Sequence, residues 1–466
     1  MEKTQHPQSV DKNAALVIAA MAAFLTPFMG SSVNIALPSI GKEFSVDAVV
    51  LNWVATAYLL SAAIFLVPFG KMADIHGRKK VFTWGIAIYT LSSLLSGISP
   101  IVSILIISRI IQGVGSAMIF STGVAILTSV FPVGERGKAL GINVSMTYMG
   151  LSLGPVFGGL LTQHLGWRSV FLVNVPLGLF VLFITLLKLK GEWAESRGES
   201  LDRMGAVMFG VSLAAVMIGL SKLPSTFGIS ILSGGVMGIL IFIRWETRID
   251  NPLLNMNLFR RNVVFALSNL AALIHYSATF AVGFLLSLYL QYIQGFSPQK
   301  AGFVLIAQPV VMAAFSPLSG RLSDRVEPRI IASVGMSITV IGLIFLSSVN
   351  AQSAISVVIL SLLLLGSGFA LFSSPNMNAI MSSVERKFYG VASATLGTMR
   401  LTGQMLSMGI AMLIFSLIIG RIQISPEHYP QFLMSMKTAF IVFASMCSIG
   451  IFASLARGRV SDSKHT

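Results

Sequence analysis

The sequence predicts an all-α membrane protein built from two related six-helix bundles and a pair of helices inserted between them. Three observations support this fold class: the composition, the number of long apolar segments and an internal repeat. Of the 466 residues, 55% are hydrophobic and only 11% are charged, whereas soluble domains carry roughly 25% charged residues. The chain therefore lacks the charges to cover a surface in water, and we expect its exterior to face a lipid bilayer.

Fourteen segments are apolar enough to cross a membrane, since a span needs about 20 predominantly apolar residues. The first has no cleavage site after a short apolar core, so we interpret it as an uncleaved span and not as a signal peptide. The predicted spans are 15–36, 50–69, 81–98, 101–130, 138–163, 169–187, 204–221, 226–243, 263–290, 301–319, 330–348, 352–375, 388–420 and 438–456.

The distribution of basic residues predicts the orientation of the chain. The net charge of +15 would suggest a nucleic-acid partner in a soluble protein, but nearly all charges lie in short breaks between apolar segments. Alternating assignment of the loops gives 24 Lys and Arg residues to one side and 6 to the other, with Arg109 and Arg400 inside spans. The positive-inside rule then places both termini in the cytoplasm. We expect a multi-pass cell-membrane protein that does not bind nucleic acid.

The two halves of the sequence repeat. The loop after span 2 contains Gly70-x-x-x-Asp74, and the loop after span 10 contains Gly320-x-x-x-Asp324, at an offset of 250. Glu135-Arg136 returns at the same offset as Glu385-Arg386, and Gly113, Gly115 and Ala117 return at an offset of 253 as Gly366, Gly368 and Ala370. A parallel repeat of six spans is typical of two-lobed transporters. The predicted organisation is a tail 1–14, a lobe 15–190, an inserted helix pair with linkers 191–262, a second lobe 263–456 and a tail 457–466.

Several motifs occur in an order that resembles one family. They are Gly70-x-x-x-Asp74-x-x-Gly77-Arg78-Lys79-Lys80 after span 2, Arg109-x-x-Gln112-Gly113-x-Gly115 in span 4, Gly150-x-x-x-Gly154-Pro155-x-x-Gly158-Gly159 in span 5, Trp167-Arg168 before span 6, and Phe284 to Gln291 followed by Gly295-Phe-Ser-Pro298 in the second half. The chain resembles the major facilitator superfamily, and within it the drug:proton antiporters with fourteen spans. The resemblance implies a monomeric secondary exporter that exchanges small amphiphilic drugs for protons by alternating access, without a cofactor.

Span 5 carries a stripe of small residues. Gly150, Gly154 and Gly158 repeat at i, i+4 and i+8, which permits close helix packing or sliding. Pro155 removes a backbone hydrogen bond and favours a kink. The spacing alone fits either a hinge or plain packing, and the family resemblance favours a hinge that includes Gly159.

Two ionisable residues inside spans are candidates for proton coupling. A guanidinium buried in hydrocarbon is costly and is by default functional, and the resemblance implies a coupling role for Arg109. His275 titrates near neutral pH when unperturbed, although a lone histidine in a span is often a packing residue. We expect a cleft between the lobes to reach Arg109. The predicted cavity contacts are Asn34, Gln112, Asn143, Thr147, Tyr148, Asn376, Arg400 and Gln404.

The resemblance also implies a gate at the rim of the lobes. Asp74 and Arg78 would pair across the lobe interface, near the start of span 13, and part as the gate opens. Asp324 and Arg325 are the matching pair in the second half. Ordinary topogenic charge is the alternative, but it does not explain the repeated Gly-x-x-x-Asp spacing.

No acidic residue falls inside a predicted span, and this departs from the family. Members of this branch often carry an acid five residues before the asparagine of span 1, and here that position is Met29. A buried carboxylate would bind a cationic substrate or a proton, so neutral, zwitterionic or anionic amphiphiles are favoured over cations. The main alternative is a transporter of the same fold, uncoupled or differently coupled, that moves a lipid or an anionic or neutral metabolite. A membrane enzyme is disfavoured because the sequence has no phosphate loop, no His-Glu-x-x-His metal pair and one cysteine.

Overall fold

The protein, seen in a computed structural model, is described at residues 11–194, 196, 198–249, 252–254, 256–323, 325–385, 389–420 and 422–458. These residues form helices and no strand, because a helix pairs its own backbone groups where no water is available. The first helices are α1 (Lys12–Phe44), α2 (Ala48–His76), α3 (Arg78–Gly97), α4 (Val102–Val130), α5 (Val133–Leu165), α6 (Arg168–Leu172), α7 (Asn174–Lys188), α8 (Arg203–Lys222) and α9 (Thr226–Glu246). The others are α10 (Met256–Arg261), α11 (Val263–Thr279), α12 (Ala281–Leu288), a π-helical turn (Tyr289–Ile293), α13 (Pro298–Leu305), α14 (Ala307–Ser323), α15 (Pro328–Ser347), α16 (Ile355–Ser382), α17 (Tyr389–Ile418), a 3₁₀ turn (Pro426–His428) and α18 (Tyr429–Ala456).

Polar side chains fix where several helices begin. Asp11 accepts hydrogen bonds from the backbone nitrogens of Asn13 and Ala14 at the start of α1. Asp47 does the same for Val50 in α2, and Ser297 for Lys300 in α13. Each cap satisfies a backbone donor that has no partner inside the helix.

We call the end of the bundle at which α1 begins the tail side, and the opposite end the far side.

Thirteen segments of the described chain are long and apolar enough to cross a membrane. The third predicted span is a helix, α3, but it does not reach that apolarity, because it begins with three basic residues and its second half contains four serines and threonines. Its 20 residues measure about 30 Å at 1.5 Å per residue, which is the thickness of a hydrocarbon core. Fourteen crossings therefore stay a prediction.

The repeated glycines make equivalent contacts in the two lobes. A Cβ on Gly113 of α4 would lie 2.4 Å from the carbonyl oxygen of Tyr58, and one on Gly366 of α16 would lie 2.5 Å from that of Gln308. Two residues later, Gly115 and Gly368 bring the same helices against the backbones of α3 and α15. No other residue lets the backbones come this close, so the spacing of the sequence repeat reflects repeated packing.

Helices α8 and α9 pack as a pair beside the boundary between the lobes. A Cβ on Gly219 of α8 would lie 2.6 Å from the backbone nitrogen of Leu232 in α9. Gly210 of α8 faces Ile64 in α2, and Met217 of α8 faces Gly409 in α17. The pair thus contacts one helix from each lobe.

Candidate functional site

A cavity of about 410 Å³ lies between the two lobes. It is lined by α1, α2, α4 and α5 of the first lobe and by α11, α12, α13, α14, α16 and α17 of the second. The lining begins near the middle of these helices and extends toward the tail side. Most of it is apolar, with a minority of amide, hydroxyl and charged groups, as is usual for small-molecule sites. Seven of the predicted contacts line the cavity: Asn34, Asn143, Thr147, Tyr148, Asn376, Arg400 and Gln404.

Two of the lining asparagines are held in place by backbone groups. The Nδ2 atom of Asn143 donates to the carbonyl oxygen of Ala19, 3.1 Å away. The Nδ2 atom of Asn376 donates to the carbonyl oxygen of Ser268 at 3.1 Å. These bonds fix the amides on the cavity wall.

A residue beyond the last span completes this arrangement. The Nη1 atom of Arg457 donates to Oδ1 of Asn376 at 2.7 Å and to Oγ of Ser268 at 3.1 Å. Burial lowers the pKa of Arg457 to about 10, so its guanidinium stays charged at neutral pH. Sequence reasoning counted this arginine as topogenic charge, and no local pattern marks it as a support of the cavity.

Arg109 lies beside the cavity and not on it. Its side chain is 1% exposed, its Nε atom donates to the carbonyl oxygen of Val54 at 3.0 Å, and its Nη1 atom donates to Gln112. Its guanidinium carbon lies 4.4 Å from the centre of the Tyr58 ring, and that ring does line the cavity. The expectation that the cleft touches Arg109 is therefore wrong in this conformation: Tyr58 separates them.

Gln112 was expected in the cavity and is also outside its lining. Its side chain is fully buried, and its Nε2 atom donates to Oγ of Ser93 at 2.7 Å while its Oε1 atom accepts from Arg109. The helical spacing of three residues correctly puts Gln112 beside Arg109. The spacing could not show that the shared face points into the first lobe.

His275 is fully buried among aromatic rings. Its ring stacks on Phe372 at 4.1 Å between centres, and its Nδ1 atom lies 4.0 Å from Sγ of Cys447. Its Nε2 atom has no hydrogen-bond partner among the described residues. Among the described residues, its recorded contacts are aromatic rings and Cys447, and none of them is acidic.

On the far side the lobes touch directly. Pro38 has no N–H group, so the carbonyl of Asn34 one turn earlier lacks its helical partner. Oγ of Ser287 in α12 donates to that carbonyl oxygen at 2.6 Å. Nε2 of Gln291, in the π-helical turn, donates to the carbonyl oxygen of Ile35 at 3.0 Å. These contacts between lobes close the far side of the cavity.

The predicted hinge residues divide between two interfaces. Cβ atoms on Gly150, Gly154 and Gly158 would meet Phe24, Ser31 and Ser32 of α1, which belongs to the same lobe. The three glycines therefore pack α5 against α1. Gly159 differs, because a Cβ there would lie 2.5 Å from the carbonyl oxygen of Pro298 in the other lobe.

Pro155 contributes to both the cavity and the lobe interface. It lines the cavity, and its carbonyl oxygen lies 2.1 Å from the position of a Cβ on Gly302 in α13. Gly159 and Pro155 thus form the far-side contact of α5 with the second lobe.

The loop around Asp74 is held by the linker that follows α7. Oδ1 of Asp74 accepts from Nε of Arg78 at 2.8 Å, within one lobe, and not across the lobe interface as predicted. The carboxylate of Glu192 accepts from the backbone nitrogens of Lys79 and Lys80 at the start of α3. A helix start offers unpaired donors and a positive dipole end, so an acid there is favourable.

The same linker makes backbone contacts with this loop. The backbone nitrogen of Arg78 donates to the carbonyl oxygen of Trp193 at 2.8 Å. The backbone nitrogen of Ser196 donates to the backbone carbonyl oxygen of Asp74 at 3.0 Å. Lys71 pairs with Glu199, and this hydrogen bond holds the pKa of the Glu199 carboxyl below its ordinary value. We name residues 192–199 the linker clasp, of which 195 and 197 lie outside the described residues.

Substitution of Gly77 should loosen the linker clasp. Gly77 has φ +116°, and a Cβ there would lie 2.4 Å from Cδ of Glu192. A backbone held in such a region costs of order 1–3 kcal/mol for a residue with a side chain, so we expect Gly77→Ala to lower the melting temperature. Gly70→Ala is the matched control from the same motif, since its Cβ would make an ordinary 3.6 Å contact with Ser121. Equal melting temperatures of the two variants in detergent would contradict this role.

Of the two gate residues predicted in the second half, Arg325 lies within the described chain. Asp324 lies outside the described residues, and Arg325 is exposed on the tail side. The start of span 13, where Asp74 was predicted to dock, includes residue 388, which also lies outside the described chain together with the two residues before it.

A helical membrane protein with two related lobes and a cavity between them has the architecture of a membrane transporter. The sequence matches the family model of the Major Facilitator Superfamily over residues 19–408 and again over 268–465. The chain belongs to this superfamily, and the predicted fold class is confirmed.

Known relatives cover nearly the whole chain. It is 30% identical to the riboflavin transporter RibZ of Clostridioides difficile, over 96% of this chain and 98% of RibZ. It is 30% identical to the multidrug resistance protein Stp of Mycobacterium tuberculosis, over 85% of this chain and 74% of Stp. Among solved structures, a bacterial homologue of the human lysosomal transporter Spinster superposes with a TM-score of 0.71 at 14% identity, over 96% of each chain. This last likeness is one of fold.

Proposed function

We propose that this transporter is a secondary active exporter that moves small amphiphilic molecules by alternating access, in exchange for protons. The observation that carries the proposal is the cavity between the lobes, which extends toward the tail side and is closed on the far side. The positive-inside rule would place the tail side in the cytoplasm of a cell-membrane protein, so the cavity would load from within the cell. One copy contains both lobes and the whole cavity, which supports a functional monomer.

Alternating access requires that the far-side contacts part while the tail side closes. On the far side these are the bonds of Ser287 and Gln291 to α1 and the contact of Gly159 with Pro298. On the tail side, Asp74 and Arg78 would meet the start of α17, with Asp324 and Arg325 in the equivalent place. Gly150, Gly154 and Gly158 would let α5 move against α1 as the lobes rock.

Proton coupling would involve Arg109 and His275. Arg109 reaches the cavity through the Tyr58 ring, so movement of Tyr58 would transmit substrate binding to the guanidinium. His275 is enclosed by rings in this conformation. A proton could reach it only in a conformation that admits water beside Phe372.

The names of the relatives support two kinds of substrate. Stp is named for multidrug resistance, in line with export of amphiphiles, and RibZ for riboflavin transport. The second candidate function is therefore transport of a metabolite without obligatory proton coupling.

Flux in vesicles tests the proposal. We expect purified protein in proteoliposomes to move at least one anionic or neutral amphiphile faster when a pH gradient is imposed, and a protonophore should abolish the increase. Equal flux with and without the gradient would favour the uncoupled alternative, and binding without flux would contradict transport.

In the same assay, His275→Ala should shift the pH dependence of flux if the imidazole titrates during the cycle. An unchanged profile would assign it to packing.

A further inference from the structure

The cavity between the lobes has an unusual charge inventory. Among the described residues that line it there is no Asp or Glu, and Arg400 is the one charged side chain. This lining therefore offers no carboxylate to a cationic substrate. Its fixed charge is positive, and this charge lies near the middle of α17.

Arg400 differs from the buried Arg109 and Arg457 because its guanidinium has no polar partner in the part of the chain that the structure describes. Arg109 donates to Val54 and Gln112, and Arg457 donates to Asn376 and Ser268. No hydrogen bond or ion pair joins Arg400 to any residue in the described ranges, and its side chain is partly exposed. An arginine presents five donors in a planar fork, so this one leaves its donors available to a ligand.

Aromatic rings surround the place where a ligand would meet this fork. The guanidinium carbon lies 5.8 Å from the centre of the Tyr276 ring. Tyr276 packs edge-on against Phe369, and Phe372 continues the same wall of the cavity. One turn along α17, Gln404 also lines the cavity and adds an amide on the same helix face as Arg400.

We infer that Arg400 anchors the acidic group of a planar aromatic anion in this cavity. The inference rests on the proposed transport function and names its substrate class. A carboxylate, sulfonate or phosphate matches the fork of a guanidinium with two parallel hydrogen bonds. An aromatic body would pack against Tyr276, Phe369 and Phe372. A cation of the same shape would place its charge beside an arginine that no acid neutralises, and that repulsion selects against it.

Binding of two matched dyes tests this assignment without requiring transport. Fluorescein and rhodamine 123 share one planar ring system, but at pH 7.5 the first is an anion and the second a cation. We would measure fluorescence polarisation with the whole protein in phosphatidylcholine nanodiscs and subtract the signal of empty nanodiscs. We expect fluorescein to bind at least ten times more tightly than rhodamine 123. Arg400→Gln should weaken fluorescein at least tenfold and leave rhodamine 123 unchanged or tighter.

Two further variants keep the test decisive. Arg400→Lys retains the charge without the planar fork and should fall between the parent and Arg400→Gln. Lys437→Gln removes an exposed basic residue elsewhere in the second lobe and should bind both dyes as the parent does. Unchanged fluorescein affinity in both Arg400 variants, tighter binding of rhodamine 123 than of fluorescein by the parent protein, or no binding of either dye to the parent would overturn the inference. Binding of fluorescein through Arg400 with no flux of any amphiphile in the vesicle assay would instead overturn the proposed export and leave the ligand class standing.

Discussion

Gly159→Leu is expected to reduce transport to between about one fifth and less than one hundredth of the parental rate. A Cβ at this position would lie 2.5 Å from the carbonyl oxygen of Pro298 and 2.9 Å from Cα of Gln299. All of these atoms belong to the other lobe, so the extra side chain would oppose closure of the far side without disturbing the packing of α5 on α1. Overpacking costs typically 1–3 kcal/mol, which corresponds to a shift of about 5- to 150-fold in a two-state equilibrium.

The shift can be seen directly by cysteine labelling. The native Cys447 is buried, and Ser287, which bonds to α1 on the far side, is also buried. A Ser287→Cys protein should resist a membrane-impermeant maleimide added on the far side, and adding Gly159→Leu should make it reactive. Gly141→Leu on the same helix is the control, because nothing lies within 4 Å of a Cβ at Gly141. Normal flux together with an unreactive cysteine would mean that closure does not depend on this contact.

The glycine motif of α5 illustrates what could be predicted from sequence. The spacing of Gly150, Gly154 and Gly158 correctly indicates a close helix contact, since only small residues allow one. It cannot identify the partner helix, because the stripe would be the same against either lobe. The structure shows that Gly159, one residue off the stripe, is the glycine of this motif that faces the second lobe.

Most of the polar residues predicted to line the cavity do line it, and the reason is physical. Polar side chains inside apolar spans are costly unless they face water or each other, so most of those singled out line the cavity. Gln112 does not, because it satisfies its polarity by bonding to Arg109 and Ser93 within one lobe. The linker clasp and Arg457 were missed, because their contacts join segments far apart in sequence, and basic or acidic residues in loops carry no local signal of a partner.

Arg109→Ala is expected to abolish the response of transport to a pH gradient. The substitution removes the guanidinium that links Val54, Gln112 and the ring of Tyr58. It also leaves buried acceptors without a donor, at a cost of about 1–3 kcal/mol each, so a lower melting temperature is expected as well. Flux alone would therefore confuse a coupling role with a structural one.

Exchange at equal pH separates the two roles. If Arg109 couples substrate to protons, Arg109→Ala should still exchange labelled for unlabelled substrate across the membrane when no gradient is present. If Arg109 only holds α4 to α2, exchange and gradient-driven flux should fall together. Arg109→Lys refines the comparison, because it keeps a positive charge but lacks the guanidinium that bonds to Val54 and Gln112 and lies over the ring of Tyr58. Full gradient-driven flux in Arg109→Lys would show that charge suffices, whereas its loss with exchange intact would assign coupling to the guanidinium and its contacts with Val54, Gln112 and Tyr58, the ring that separates this arginine from the cavity.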